Sequence, residues 1–377
     1  MKKKLLFIYE YFTPATKAGG IVSSLKHLAN LLEKDYQVFV YTSSYDANGE
    51  HLEIESNQWV NDHKFSVYYA TGDFSKKLKR AVEQVEPDIC YFNGLYNVHF
   101  VFKSLLEFRF NQKPKPEFWL CPRGMLQAGA LKVKPLKKRV YLFAFKLLRL
   151  HRMVRWHATD DQEMKDIVLN MGQDIKVKLA YDTPGDVSGS IVPIVKKSGS
   201  LRLCFLSLIT EKKNLKGLLI WLQNFKAESC INLDIYGPVK DTDYWRTCQK
   251  LISKLPERVK CRYGGEVKPH DVVDLLNEYH FLILPSLGEN FGHVIYESLS
   301  VGRPVMISDN TPWTRVVDWK AGFVNSVDEP GNWLSAMDEA LQLDQTEYDQ
   351  YVANARALAK NYLEVQNLRE QYNQLFG

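Results

Sequence analysis

Short runs of Leu, Ile, Val and aromatic residues alternate along this chain with longer amphipathic stretches, and this alternation constrains its fold more than any other feature. LLFIY (5–9) is followed by the helical pattern IVSSLKHLANLL (21–32) and then by QVFVYT (37–42). DICYF (88–92), with a helix after it, and EFWLC (117–121) continue the series. The short runs are apolar on both faces. A strand with one wet face alternates polar and apolar residues, whereas one apolar throughout must be covered above and below. A parallel sheet flanked by its own crossover helices meets that demand.

The pattern breaks at 181–200, YDTPGDVSGSIVPIVKKSGS, where Gly, Pro, Ser and Asp predict an interdomain linker. It restarts with LRLCFLSL (201–208), a helix from about Leu215, INLDIYG (231–237), a helix near 243–254 and RVKCRYGG (258–265). DVVDLLNEY (271–279), HFLILPS (280–286), a helix from about Phe291 and RPVMIS (303–308) follow. The prediction is two doubly wound α/β domains, 1–185 and 186–359. A closing helix over about 360–377 is expected to pack back on the first. A length of 377 residues is ample for two cores. Ligands of such sheets bind outside the carboxyl ends of the strands, and with two domains the site is expected in the cleft between them.

Bulk properties narrow the function classes. A net charge of +5 is too mild to argue for nucleic acid. The six cysteines are far apart, without C-x-x-C or a zinc-like spacing, and read as small hydrophobes in a reducing cytoplasm. MKKKLLFIYEYF imitates a signal peptide, but Glu10 cuts its apolar run too early. No run approaches the roughly eighteen apolar residues of a spanning helix. A cytoplasmic chain, at most peripheral on a membrane, is expected.

The stretch SLGENFGHVIYESLSVGRPV (286–305) places Glu289 and Glu297 eight positions apart. The buried strand HFLILPS ends at Pro285, Glu289 falls in the following loop, and FGHVIYESLSVG reads as a helix with Asn290 as N-cap and Gly302 at its end. Glu297 then lies roughly two turns inside the helix. Between the glutamates the first helical amides point outward at the positive end of the helix dipole, a ready seat for a diphosphate. A ligand with hydroxyls at both ends and phosphates between them suits this spacing. Charge pattern alone favours the plainer reading of a solvated loop charge and an ordinary surface helix glutamate.

The longer string PSLGENFGHVIYESLSVGRPVMISDNTPW resembles the E-x7-E region of the retaining family 4 glycosyltransferases, which have the GT-B fold: two Rossmann-like domains facing a central cleft. The resemblance covers essentially the whole chain. It implies that Glu297 binds the ribose of a donor nucleotide and Glu289 the transferred sugar. The amides of Asn290, Phe291 and Gly292 would lie against sugar and phosphate, with Thr311 also on the donor. YFTPATKAGGIVSSLKHLANLLEK (11–34) looks like the family's first loop and helix, where Gly19 and Gly20 would let backbone approach the donor phosphates. CPRGMLQAGAL (121–131) is similar to a stretch of members that build bacterial surface polysaccharides, and implies that Arg123 faces the cleft as a catalytic group. FLSLITEKKNLKGLL (205–219) matches the loop whose Arg and Lys clamp the donor diphosphate. Lys213 keeps the Lys, but Leu208 stands at the Arg position. Losing that cation removes a contact of about 1.5–3 kcal/mol, unless Arg123 or Lys212 compensates. The linker also carries YDTPGDV where the family has PNGVD.

Asp241–Thr242–Asp243 spells D-x-D, but ahead of a helix it reads as an N-cap cluster. The histidines form no ligating pattern, with His270 and His293 read as cap or surface residues, so neither metal nor cofactor is expected. From Leu131 to Arg155 the chain holds nine Lys or Arg, no acid and interleaved apolar residues. This is either a helix lying on anionic lipid or a solvated helix whose apolar stripe packs on its own domain. Taken together, the expectation is a metal-independent hexosyltransferase with a UDP- or GDP-sugar donor. Its acceptor would be a polyprenyl-linked glycan of capsule or O-antigen synthesis. The alternatives are a non-catalytic sugar-nucleotide-binding partner subunit, which Leu208 favours, and a GT-B sugar-nucleotide epimerase.

Overall fold

The computed structural model describes residues 2–62, 64–110, 116–185, 192–225 and 229–377, with the backbone alone at Ala128. The chain divides into two units, Met1–Pro184 with Gln366–Gly377, and Gly185–Val365. Residues 186–191 of the predicted linker lie outside the described residues.

Among the described residues the first unit holds an eight-stranded sheet: β1 (Lys4–Ile8), β2 (Gln37–Ser43), β3 (Trp59–Asp62), β4 (Phe65–Ala70), β5 (Ile89–Asn93), β6 (Glu117–Cys121), β7 (Arg155–Ala158) and β8 (Val177–Leu179), in the spatial order β3-β4-β2-β1-β5-β6-β7-β8. All neighbours pair in parallel except β3 and β4. β5 is buried at every position, as a strand covered on both faces must be. One face packs Leu6, Phe92, Phe118 and Trp156; the other packs Leu5, Phe7, Tyr91 and Trp119. The closing helix Leu368–Phe376 completes the second of these cores, with Tyr372, Leu375 and Phe376 buried in it.

The second unit holds β9 (Ser200–Leu206), β10 (Cys230–Tyr236), β11 (Val259–Gly265), β12 (Phe281–Leu284), β13 (Val305–Ser308) and β14 (Gly322–Asn325), ordered β11-β10-β9-β12-β13-β14 and wholly parallel. β12 and β13 are buried throughout. In each unit the strand order reverses at its first strand, β1 lying between β2 and β5 and β9 between β10 and β12. At such a reversal the flanking crossovers run to opposite faces, so the loops leaving the carboxyl ends of those two strands part and leave a crevice.

Candidate functional site

In the second unit the two strands at the reversal are β9 and β12, and the loops from their carboxyl ends carry Leu208–Lys213 and Ser286–Gly292. Leu287 N donates to the Lys212 carbonyl at 2.8 Å, and Ser286 Oγ donates to the same oxygen at 3.1 Å. Glu289 N donates to Asn310 O at 2.9 Å. On this backbone frame Lys213 Nζ meets Glu289 Oε1 at 2.5 Å, with the Glu289 side chain 8% exposed. Burial pushes the Glu289 carboxyl upward, but Lys213, with Lys212 and Ser286, outweighs it and holds the group below its ordinary range.

The following helix is His293–Ser300, two residues shorter at its start than predicted. Asn290 is not its cap. Gly292 is, in the left-handed conformation with φ 80°, and a Cβ there would lie 2.8 Å from Ile295 Cδ1. The cap offers no side-chain acceptor and the first turn no acid, so the leading amides have the outward, unneutralised character of an anion seat. Phe291 is buried against Tyr296, Trp313 and Tyr362, and Trp313 Nε1 donates to its carbonyl at 2.6 Å, which anchors the loop just before the helix. Thr311 is also buried, its hydroxyl accepting from Trp313 N at 3.4 Å.

Glu297 is the fifth residue of this helix, just over one turn inside rather than two. It is half-buried, and its side chain has neither hydrogen-bond nor ion-pair partner among the described residues. Desolvation alone raises its carboxyl to about 7. A shielded carboxylate without a partner is costly, and a ligand donating hydroxyls would relieve it. Leu208 is half-buried at the end of β9, between Ser207 and Ile209, whose amides bond to Tyr236 O and Pro238 O.

In the first unit Gly19 caps helix Gly20–Leu32 with φ 84° and ψ −165°, a conformation essentially confined to glycine. The loop before it is tied down where Asp46 accepts from Thr16 N and Lys17 N, each at 3.1 Å. Arg123 corrects its expected place. Its side chain is 1% exposed and pairs with Asp182 at 2.7 Å, while donating also to Asn93, Ser24 and the Tyr91 hydroxyl. These partners all belong to the first unit. The guanidinium is buried against its own counter-charge and held by the first unit's own groups, rather than presented as an unpaired cation. The adjoining turn is pinned by buried Glu163, which accepts from Gly124 N at 2.5 Å and Thr159 N at 2.8 Å.

Sequence reasoning missed a polar cluster at the first unit's own reversal. Glu10, just past β1, accepts from Asn97 Nδ2 at 2.6 Å, and Asn97 Oδ1 accepts from His99 N and Phe100 N beyond β5. Burial raises the Glu10 carboxyl, against hydrogen bonds from Tyr11 and Asn97. The available signal was its position, directly after the first strand of a doubly wound sheet. The D-x-D stretch does cap a helix: Asp241 Oδ1 accepts from Asp243 N at 3.1 Å and Tyr244 N at 3.0 Å. His293 is a half-buried first-turn residue against Phe291, and His270 is exposed beside Asp271. Of the cysteines, Cys90, Cys121, Cys204 and Cys248 are buried as expected, but Cys230 is exposed.

Residues 191–358 match the family described as glycosyl transferases group 1. The matched stretch lies wholly within the second unit. Sucrose-phosphate synthase from Thermosynechococcus elongatus superposes with a TM-score of 0.76 at 13% identity, over 100% of this chain and 98% of that one. Anabaena HepE in complex with UDP-glucose superposes at 0.68 with 15% identity, over 99% and 98%. At these identities the likeness is one of fold, and the fold is GT-B. The GtfA subunit of UDP-N-acetylglucosamine–peptide N-acetylglucosaminyltransferase from Limosilactobacillus reuteri subsp. suis is 27% identical over 203 residues, which are 50% of this chain and 38% of that protein.

Proposed function

We propose that this chain is a retaining glycosyltransferase that moves a hexosyl unit from a UDP- or GDP-sugar to a glycan acceptor, a polyprenyl-linked oligosaccharide of capsule or O-antigen synthesis. One observation carries the reading: Glu297, half-buried and partnerless among the described residues, stands just behind an open helix N-terminus whose preceding loop holds the Lys213–Glu289 pair. The Glu297 carboxylate accepts the ribose hydroxyls, the amides at 290–292 and Lys213 take the diphosphate, Glu289 orients the sugar, and Thr311 borders it. The HepE complex holds UDP-glucose and the GtfA name specifies a UDP-sugar, which favours UDP over GDP.

Glu289 is engaged by Lys213 and Glu297 is assigned to the ribose, which leaves no side chain of this set for a covalent adduct, so we assign a front-face path. The C1–O bond to the diphosphate breaks as the acceptor oxygen bonds C1 on the same face, and the acceptor proton passes to the leaving phosphate oxygen. Catalysis is then electrostatic stabilisation of the leaving group by Lys213 and the helix amides, which take the role a divalent metal has elsewhere. Transfer is therefore expected to persist in EDTA. On the first unit, Glu10 held by Asn97 is the group we assign to the acceptor. A second reading, a sugar-nucleotide-binding partner subunit without transferase activity, is favoured by Leu208 at the usual cation position and by the relative's description as a subunit.

The test is a thermal-shift panel of UDP, GDP, ADP and CMP on the wild type, Glu297→Ala and Lys213→Ala, followed by donor turnover. A nucleotide at a hundred times its dissociation constant adds about 2.7 kcal/mol of stability. One nucleotide should stabilise the wild type, with the shift abolished in Glu297→Ala and reduced in Lys213→Ala. A shift without turnover of any matching sugar nucleotide supports the subunit reading, and no shift from any nucleotide removes both.

A further inference from the structure

Helix Pro135–Leu147 in the first unit is apolar on two opposite sides. Its inner side, Tyr141, Leu142, Phe145 and Leu148, is spent on the unit's own core: Phe145 is fully buried near Phe102 and Trp156, and the Tyr141 hydroxyl donates to Leu95 O at 2.5 Å. The outer side carries Leu136, Val140, Phe143 and Leu147, which are 74%, 60%, 68% and 68% exposed. Their spacing of four, three and four residues sets them in one ridge, about 16 Å long. Val133, just ahead of the helix, is exposed as well. Phe110 is also exposed, and its neighbour Arg109 donates to the Leu148 carbonyl just past the helix. Lys132, Lys134, Lys137, Arg139, Lys146 and Arg149 are all exposed around this ridge, and none has a carboxylate partner among the described residues. No acid occurs between Leu131 and Arg155.

From this juxtaposition we propose that the outer face of helix Pro135–Leu147 docks on an anionic lipid bilayer, its apolar ridge entering the acyl boundary and its cations meeting the headgroups. Charge decides the occupant. A second copy would bring the same acid-free cationic row against this one, and a soluble polyanion offers the ridge no hydrocarbon. An anionic bilayer supplies both partners at one depth. No helix among the described residues is long and apolar enough to cross a membrane, so this is contact from one side. The proposal stands independently of the transferase reading, since none of these residues belongs to the donor or acceptor assignments.

The test is co-sedimentation of the full chain with vesicles of phosphatidylethanolamine and phosphatidylglycerol (3:1) and, separately, of phosphatidylcholine, with sedimentation equilibrium run in parallel. We expect partitioning into the anionic vesicles at least tenfold above phosphatidylcholine. It should fall tenfold or more in Val140→Ser/Phe143→Ser and, separately, in Lys137→Glu/Arg139→Glu. These positions are exposed, so melting temperature and the nucleotide-induced shift should stay at wild-type values. Equal binding to both vesicles, unchanged partitioning in either double variant, or no binding would each overturn the proposal. So would a dimer that Val140→Ser/Phe143→Ser dissolves while vesicles leave the wild type in solution.

Discussion

Glu289 in the loop 286–292 and Glu297 in helix His293–Ser300 answer pH in opposite directions. Glu297 rises from 4.5 to about 7 by desolvation alone. Between those values the folded chain keeps a proton that the unfolded chain releases, so this group lowers stability as pH rises from about 4.5 to about 7. The loss is about 2 kcal/mol after allowance for partial exposure. Glu289 has the reverse sign: its pairing with Lys213 stabilises the fold above the ordinary carboxylate range, and that contribution is lost as pH falls through the lowered value. If ribose hydroxyls are Glu297's missing partners, donor binding needs its ionised form. UDP-glucose, which has no group titrating near neutrality, should bind several-fold more tightly at pH 8 than at pH 6, releasing a proton, whereas Glu297→Gln should be flat. Calorimetry in two buffers of different ionisation enthalpy reads this directly, and proton uptake or a flat wild-type response would take Glu297 out of the donor site. The spacing of the two glutamates was legible in the sequence. Arg123 was not, because its partners Asn93, Ser24 and Asp182 are remote in the chain and only folding surrounds it with them.

At the level of elements, the loop-to-helix junction depends on one backbone conformation. Gly292→Ala puts a Cβ at a left-handed cap and against Ile295, a strain of about 1–2 kcal/mol. The expected outcome is a small fall in melting temperature with a larger loss of donor affinity, because relief of the strain would re-aim the leading amides. Equal affinity in this variant, measured by calorimetry, would show that the amides do not carry the diphosphate. Strands such as β6 (Glu117–Cys121) matched the sequence pattern residue for residue, since a doubly covered strand is written in consecutive apolar residues. The antiparallel pairing of β3 with β4 was not foreseen. β3 is a four-residue edge strand with Trp59 and Val60 half-buried and Asn61 and Asp62 exposed, too short a pattern to mark a strand. The basic helix was read as having one apolar stripe, to be spent either outside or inside. It has two, and periodicity alone cannot say which side of a helix meets its own domain.

For the molecule as a whole, the last helix belongs to the unit that contains the first strand. Removing residues 368–377 takes Tyr372, Leu375 and Phe376 from the first unit's core, at a cost on the order of 5 kcal/mol. Amide hydrogen exchange should quicken in β1, β5 and β6 and stay unchanged in β9–β14; uniform protection across both units would contradict the division of the chain. The parallel strands of the two sheets, their strand–helix alternation and the helix seat for an anion follow from local composition and period, because burial on both faces and helix capping are local demands. Which carboxylates are paired and which left open, which cation is free and which sealed, and where the chain's end packs are set by contacts between residues tens to hundreds of positions apart. Those are the properties that separate a donor-binding glutamate from a surface one, and they exist only once the strands have been laid side by side.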